Sequence, residues 1–272
     1  MPLYVVCVGA HPDDCESYVG GTAALLRERG DVVRFVAATN GSKGHHAAEY
    51  IRRPELLARR RHEEALRAAA VIGAEYACLG YEDGELYVTP EATERMVRTL
   101  RLCGPPGLGP DLVLTNRPGD YHRDHRYCAR LVLDAAYMLT VPGICPDTPA
   151  LRRLPVFAYW SDRFTEGGAF RADVAVAIDR VMERKIDMMA AHESQFYEWI
   201  PFNEGAHAAF ADFPADPARR RERLGEAVRA AAAAVRGAAG ERLPATCRWA
   251  EAFQISEYGH VPDASELARL FP

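Results

Sequence analysis

No apolar stretch of this chain approaches the ~20 residues that a helix needs to cross a bilayer, so no membrane span is expected. Its first residues, Met1-Pro2-Leu3-Tyr4-Val5-Val6, lack the basic start and small-residue cleavage site of a secretory signal and read as the beginning of a strand. Cysteine is scarce: there are seven, an odd number, with no Cys-x-x-Cys spacing. That pattern argues against a disulfide framework and against cysteine-held zinc, and makes a reducing cytoplasm the simplest location. Positive charge is in deficit, with 33 Lys and Arg against 38 Asp and Glu and a net charge of −5, which points away from nucleic acid or an anionic membrane as partner. The basic run Arg59-Arg60-Arg61-His62 is followed at once by Glu63 and Glu64 and reads as a solvated helix face. Internal repeats, low-complexity linkers and a clean domain boundary are missing too.

What is present is ordinary globular composition in a chain of 272 residues, 49% of them hydrophobic. The expectation is one α/β domain over 1–272, with a core (1–140) carrying the polar motifs and a C-terminal part (150–272) completing the pocket. Leu3–Ala10 and Val32–Ala38 are near-continuous apolar runs, as parallel strands buried on both faces would be. Tyr76–Leu79 and Asp111–Thr115 follow as strands. Helices are expected over Thr22–Arg29, Pro54–Ile72, Thr89–Leu102 and Arg126–Leu139, the first two closed by Gly30 and Gly73. Strand and helix alternate, which implies right-handed βαβ units and a mainly parallel sheet in a Rossmann-like three-layer α/β/α fold. Downstream, Pro155–Tyr159 and Ala172–Ile178 read as strands, and Asp179 as the cap of a helix reaching His192. Pro217–Ala239 reads as a helix, and Trp249–Tyr258 contains a strand or a short helix.

Two segments carry the chemistry. Ala10-His11-Pro12-Asp13-Asp14-Cys15-Glu16 sits just after the first strand, where open α/β sheets place their ligands. Buried Asp and His cost free energy unless paired or coordinating. Taken alone, the segment fits a metal site or a plain helix cap, with Asp13 or Asp14 as N-cap and Glu16 in the first turn. Asn116-Arg-Pro-Gly-Asp-Tyr-His122-Arg-Asp124-His125 is a second His/Asp-rich loop, again at the carboxyl end of a strand. A parallel sheet brings such loops to one edge, and two histidines with one carboxylate and an open position make a catalytic metal set. The combination points to a metal site.

The sequence resembles the PIG-L-type (LmbE-like) zinc-dependent N-acetylglucosaminyl deacetylases. The resemblance rests on Ala10–Asp14 and on His122-Arg-Asp-His125. Asn40-Gly-Ser-Lys-Gly44, Arg61-x-x-Glu64, Tyr81-Glu-Asp-Gly84, Lys185, His192-Glu-Ser-Gln195 and Ala250-Glu-Ala-Phe253 reinforce it, so that the matches run from Val5 to about Phe253. Cys15 departs from the Glu that many members carry after the Asp pair. The resemblance implies one Zn²⁺ per chain, or another divalent metal such as Fe²⁺, held by His11, Asp14 and His125. It further implies Asp13 as general base on the metal-bound water, a cationic His122 as electrophile or general acid, and Asp124 orienting His122. A homo-oligomer, trimer or hexamer, is expected on the same ground.

Other residues have two readings each. Arg61 would anchor substrate hydroxyls or a phosphate, or be an exposed helix residue paired with Glu63 or Glu64. Asp83 would bind the sugar or shape the turn Glu82-Asp83-Gly84. His192 would line the pocket or sit at a helix C-terminus. Asn40 and Ser42 are expected to build their loop, and His45, His46, His62, His207 and His260 to be structural or exposed. Phe196–Phe202 reads as core or subunit interface ahead of a sugar-stacking platform. The resulting expectation is removal of the N-acetyl group from a small GlcNAc-containing molecule or glycoconjugate. The alternatives are a same-family amidase acting on a thiol conjugate, an Fe(II) oxygenase, and a non-catalytic nucleotide-binding module. The last would need a Gly-x-Gly-x-x-Gly turn that the first loop lacks.

Overall fold

Short runs of buried aliphatic residues organise the molecule. In the computed structural model, which describes residues 1–205 and 216–272, the first run forms strand β1 (Tyr4–Gly9), buried from Val5 onward. It leads into helix α1 (Asp14–Arg29), then β2 (Val32–Thr39), α2 (Ala48–Arg52), α3 (Pro54–Ile72), β3 (Glu75–Tyr81), α4 (Pro90–Arg101) and β4 (Leu112–Thr115). Helix α5 (Arg123–Met138) precedes β5 (Val156–Trp160) and β6 (Val174–Ala177). A 3-10 turn (Asp179–Val181), α6 (Met182–Ala190), a π-helical segment (Ser194–Trp199) and α7 (Ile200–Asn203) follow. The remainder comprises α8 (Pro217–Ala239), β7 (Ala250–Ile255) and α9 (Ala264–Leu270).

The strands form one seven-stranded sheet in the order β3-β2-β1-β4-β5-β7-β6. The first five are parallel, with Cys7 of β1 opposite Phe35 on one side and Leu114 on the other. β7 runs antiparallel between β5 and β6. Hydrophobic residues fill both faces, as a parallel sheet requires. One face packs against α1, α3, α6 and α8 through residues such as Leu26, Ala69, Ile186 and Val228. The other packs against α4 and α5 through Met96, Leu100, Leu131 and Val132. The fold is therefore the three-layer α/β/α arrangement that the alternation implies, with β5–β7 as its C-terminal extension.

Several boundaries differ from the sequence reading. Helix α1 begins at Asp14, not Thr22, and Gly20 and Gly21 lie inside it. Glycine is needed there because a Cβ on Gly21 would stand 2.7 Å from Ile178 Cγ2. A buried ion pair also bonds to the backbone of α1 at this point. Glu251 accepts the N–H groups of Gly21 and Thr22 (2.9 and 2.7 Å), while Lys185 Nζ donates to Ser17 O and to Glu251, each at 2.6 Å. Helix α5 starts at Arg123, so that Asp124 and His125 lie in its first turn. Asp179 caps no helix; it opens the 3-10 turn, and its carboxylate accepts the N–H of Arg248 at 3.1 Å. Trp249–Tyr258 yields a strand, β7, rather than a helix.

Candidate active site

The order of the sheet reverses between β1 and β4, and at such a switch point the loops leaving adjacent strands diverge and open a crevice. The loops after β1 and β4 are the two polar segments, so the topology brings them together. They line a cavity of about 410 Å³ with His11, Asp13, Asp14, His122 and His125 on its wall.

His11 and His125 meet at its floor, His11 Nδ1 lying 3.2 Å from His125 Nε2. Asp14 faces both, 3.9 Å from the first nitrogen and 3.4 Å from the second. Ligands at 2.0–2.1 Å around a tetrahedral Zn²⁺ stand ~3.4 Å apart, and the separations of these three residues lie near that spacing, measured to Asp14 Oδ2 from His11 and to Asp14 Oδ1 from His125. Each histidine turns its other nitrogen to a carboxylate. His125 Nδ1 lies 3.2 Å from Asp120, and His11 Nε2 lies 3.3 Å from Asp83 and 3.5 Å from Asp124. Carboxylates in this position fix ring orientation and raise the basicity of metal-binding imidazoles. His122 also brings a ring nitrogen within 4.8 Å of those of His11 and His125, and a second such group joins His11 with Asp83 and Asp124.

The helix-cap reading does not account for the aspartates. Asp13 occupies the N-cap position of α1, but its side chain caps nothing. Asp14 Oδ2 instead accepts backward from the N–H groups of Ala10 (2.7 Å) and His11 (3.0 Å). Asp13 has φ +147°, outside the comfortable range of any L-residue and worth about 1–3 kcal/mol of strain. Arg61 holds it there. The Arg61 guanidinium donates to Asp13 Oδ1 at 3.0 Å, to Pro12 O at 2.9 Å and to Gly41 O at 3.3 Å. Arg61 is buried, so it is not the exposed helix residue of one sequence reading.

Electrostatics push the two aspartates apart. Burial raises the pKa of Asp13, with the Asp14 charge adding and Arg61 opposing. Burial also works against the Asp14 anion, but the His125 and His11 charges and the two N–H donors hold its pKa below the ordinary value. For His11, burial disfavours the cation, yet the Asp124, Asp83 and Asp14 carboxylates outweigh it and push the pKa up to about 10. The carboxylates around His11 thus favour a positive charge at this point. For His122, burial first, and then the neighbouring His11 and His125, lower the pKa.

His122 is the N-cap of α5, and its Nδ1 accepts the Asp124 N–H at 3.2 Å. This leaves the proton of the neutral ring on Nε2, a donor toward the cavity. Three imidazoles crowded into a half-buried site thus disfavour the cationic form that the sequence reading expects of His122. The link from Asp124 to His122 runs through the backbone, because the Asp124 carboxylate accepts the Gly84 N–H at 2.6 Å and faces His11. Asp83 lies on the cavity wall and accepts the Lys43 N–H at 3.1 Å. His192 is fully buried, with Nε2 3.3 Å from Glu16, and does not line the cavity. Glu16 counters the effect of burial and raises the His192 pKa.

Of the other polar residues, Asn40 and Ser42 build their loop, Ser42 N–H donating to Asn40 at 3.0 Å and its hydroxyl to Glu82 at 2.8 Å. His45 is buried beside Glu198, and His46 stacks between His45 and Phe202. His62 lies by the Tyr76 ring, and exposed His260 meets Glu266. His207 lies outside the described residues. The sequence reading did not single out Asp120, although a carboxylate five residues before a candidate ligand histidine is a recognisable signal.

Comparison with known proteins follows the same two loops. The model of the PIG-L family, described as GlcNAc-PI de-N-acetylase, matches residues 6–136. A diacetylchitobiose deacetylase of Thermococcus kodakarensis is 31% identical over 209 residues, covering 73% of this chain and 74% of that protein. Among solved structures, the N,N'-diacetylchitobiose deacetylase of Pyrococcus horikoshii superposes with a TM-score of 0.72 at 23% identity, over 97% of this chain and 88% of that one. A 4-carboxy-2-hydroxymuconate hydratase of Pseudomonas putida superposes with a TM-score of 0.70 at 19% identity, over 97% and 99%. At these identities the two structures establish a shared fold, and a fold that also carries a hydratase leaves the chemistry to the site.

Proposed function

Because this chain belongs to the PIG-L family of de-N-acetylases, we propose that it hydrolyses the N-acetyl group of a small N-acetylglucosamine-containing saccharide or glycoconjugate, giving acetate and a free amine. It is a hydrolase of a linear amide C–N bond. His11, Asp14 and His125 would hold one Zn²⁺, and the neutral or anionic N/O donor set with carboxylate-backed imidazoles suits that ion. When bound, the ion supplies a Lewis acid and lowers the pKa of a coordinated water to ~7.

This chain's own residues do the rest. Arg61 occupies Asp13 Oδ1, leaving Oδ2 to take the proton of the attacking water. A carboxylate whose pKa is raised by burial is better matched to that task than an ordinary one. His122 Nε2–H donates a hydrogen bond to the developing oxyanion, and the proton that Asp13 took from water passes to the leaving nitrogen, since an amine departs poorly unprotonated. Asp124 fixes the His122 tautomer through its backbone N–H, and Asp83 offers its free acceptor capacity to a sugar hydroxyl. Arg61 is a positioning residue for the base, and His192 supports Asp13 from behind through Glu16 and the first turn of α1.

The observation that carries this reading is the division of the aspartate pair: Asp14 is turned to the two histidines, whereas Asp13 is strained, held by Arg61 and raised in pKa. The whole of 1–272 is read as one domain, a reading supported by the continuous sheet and by Gln195–Ile200 completing the cavity. All seven cysteines are unpaired, which supports the cytoplasmic expectation. Among the described residues, no helix is long and apolar enough to cross a membrane. A homo-oligomer remains the expectation, checked by light scattering.

The test is acetate release from a panel of N-acetylglucosamine compounds by zinc-loaded protein. Release abolished by chelation supports the proposal. Silence across the panel, with turnover of another amide such as a thiol conjugate, overturns the substrate class.

A further inference from the structure

One side of the cavity is not used by the hydrolytic chemistry. Phe196, Trp199 and Ile200 form it, and they come from the π-helical segment and its junction with α7. In i→i+5 winding, residues four or five apart share a side. Gln195, Phe196, Trp199 and Ile200 therefore all reach the cavity, while Glu198 turns to the rear. The spacing thus gathers these three apolar groups on one surface.

The rear of the segment is fixed by polar contacts. The Ser194 N–H and hydroxyl both donate to the buried Glu64 carboxylate, at 3.0 and 2.5 Å. Gln195 Nε2 donates to Gly44 O at 3.1 Å. Glu198 accepts two bonds from Arg60, at 2.9 and 2.6 Å, and lies 2.8 Å from His45 Nε2. A wall held from behind meets a ligand without an ordering cost.

The charges of the cavity add a second constraint. Its two cationic side chains, Lys43 and Arg61, already face carboxylates, Glu85 and Asp13 respectively. The Asp14 carboxylate, in the first turn of α1, adds negative charge at the helix N-terminus where an anion would otherwise settle. Asp13, Asp14 and Asp83 all point into the same space. Beyond the metal position, an anionic group would meet Asp13 and Asp83, with Arg61 and Lys43 already engaged by carboxylates.

Resting on the deacetylase reading above, we propose that Phe196, Trp199 and Ile200 bind the part of the substrate beyond the amino sugar. The substrate is a neutral glycoside of N-acetylglucosamine whose second unit presents an apolar face to Trp199, either an aryl group or the C–H face of another pyranose. Glycosides joined through a phosphodiester are selected against.

The experiment compares acetate release by the metal-loaded full chain from four N-acetylglucosaminides: the methyl glycoside, the phenyl glycoside, N,N'-diacetylchitobiose, and a phosphodiester-linked glycoside. Wild type should favour the phenyl glycoside or the disaccharide over the methyl glycoside by about tenfold in kcat/KM, mostly through KM; tenfold corresponds to ~1.4 kcal/mol. Trp199→Ala should collapse that ratio at least about fivefold, and Trp199→Phe should keep most of it. Whichever of the two substrates loses more identifies the second unit as aryl group or sugar. Ile200→Ala carries the same comparison if Trp199→Ala does not fold. A wild-type ratio near one, an equal loss on every substrate, or preference for the phosphodiester overturns the proposal. If none of the four releases acetate, the deacetylase reading fails separately. The wall is then judged by calorimetry with phenyl and methyl β-glucosaminide, where equal affinity overturns it.

Discussion

Asp13→Asn exchanges one oxygen for a nitrogen and removes a proton acceptor while leaving the shape of the site nearly intact. Asn tolerates positive φ about as well as Asp, so the φ of +147° persists. Its amide oxygen can still accept from Arg61, which keeps its bonds to Pro12 O and Gly41 O. What is lost is the charge assistance of one buried hydrogen bond, about 1 kcal/mol, or roughly 2–4 °C in Tm for a chain of this size. The three metal-facing side chains are untouched, so metal content should remain stoichiometric. Turnover should fall by about 10²–10⁴, the usual contribution of a positioned base, equivalent to ~2.7–5.5 kcal/mol. Two measurements on one preparation decide it: metal per chain by mass spectrometry after gel filtration, and acetate release. Loss of metal in step with activity, as expected instead for Asp14→Asn, would refute the division between base and ligand. So would retention of more than a tenth of the wild-type rate.

Three further outcomes follow from other parts of the molecule. Asp120→Ala, which frees His125 Nδ1 and removes the acceptor of the His122 N–H, should weaken metal binding about 10–100-fold in a chelator competition; unchanged affinity would remove Asp120 from the site. Arg101 is buried and donates to the carbonyls of Met138, Leu139, Val141, Ile144, Cys145 and Thr148. Arg101→Met should therefore cost on the order of 4 kcal/mol in urea unfolding, with kcat per folded molecule unchanged. For Glu198, burial is outweighed by His45 and Arg60, and its pKa is depressed from the ordinary 4.5 to about 2. A depressed acid stabilises the fold above its unfolded pKa and ceases to do so as pH falls through the folded one. The stability gap between wild type and Glu198→Gln should thus be full at pH 6 and close between about pH 4.5 and 2; a gap independent of pH would contradict the ion-pair assignment.

The two loops of the site were readable in sequence because the strands before them are short, apolar and parallel. Strand ends of a parallel sheet share an edge, so His11–Asp14 and His122–His125 could be joined before any coordinate was known. The sequence reading starts the first helix at Thr22, whereas α1 begins at Asp14 and runs through Gly20 and Gly21. Those glycines instead admit Ile178 and the Lys185–Glu251 pair, contacts made across more than 150 residues. Phe196–Phe202 read as core or interface because an apolar run looks the same in sequence whether it faces protein or a cavity. Arg61 and Asp83 had the right residue types in the right motifs, but whether a guanidinium meets solvent, substrate or Asp13 is not a property of spacing.

By itself, the sequence determined the layered α/β fold and which residues could supply donors to a metal. Both depend on local pattern: apolar runs of strand length, alternating helices, and polar residues at strand ends. The tertiary structure alone decided where those side chains point. It turned Asp14 to the histidines and Asp13 to Arg61, placed Asp120 behind His125, and set Glu16 against His192. It also put an apolar wall opposite the carboxylates. Each of these is a distance between side chains far apart in the chain, and charge, pKa and selectivity follow from those distances rather than from the order of residues.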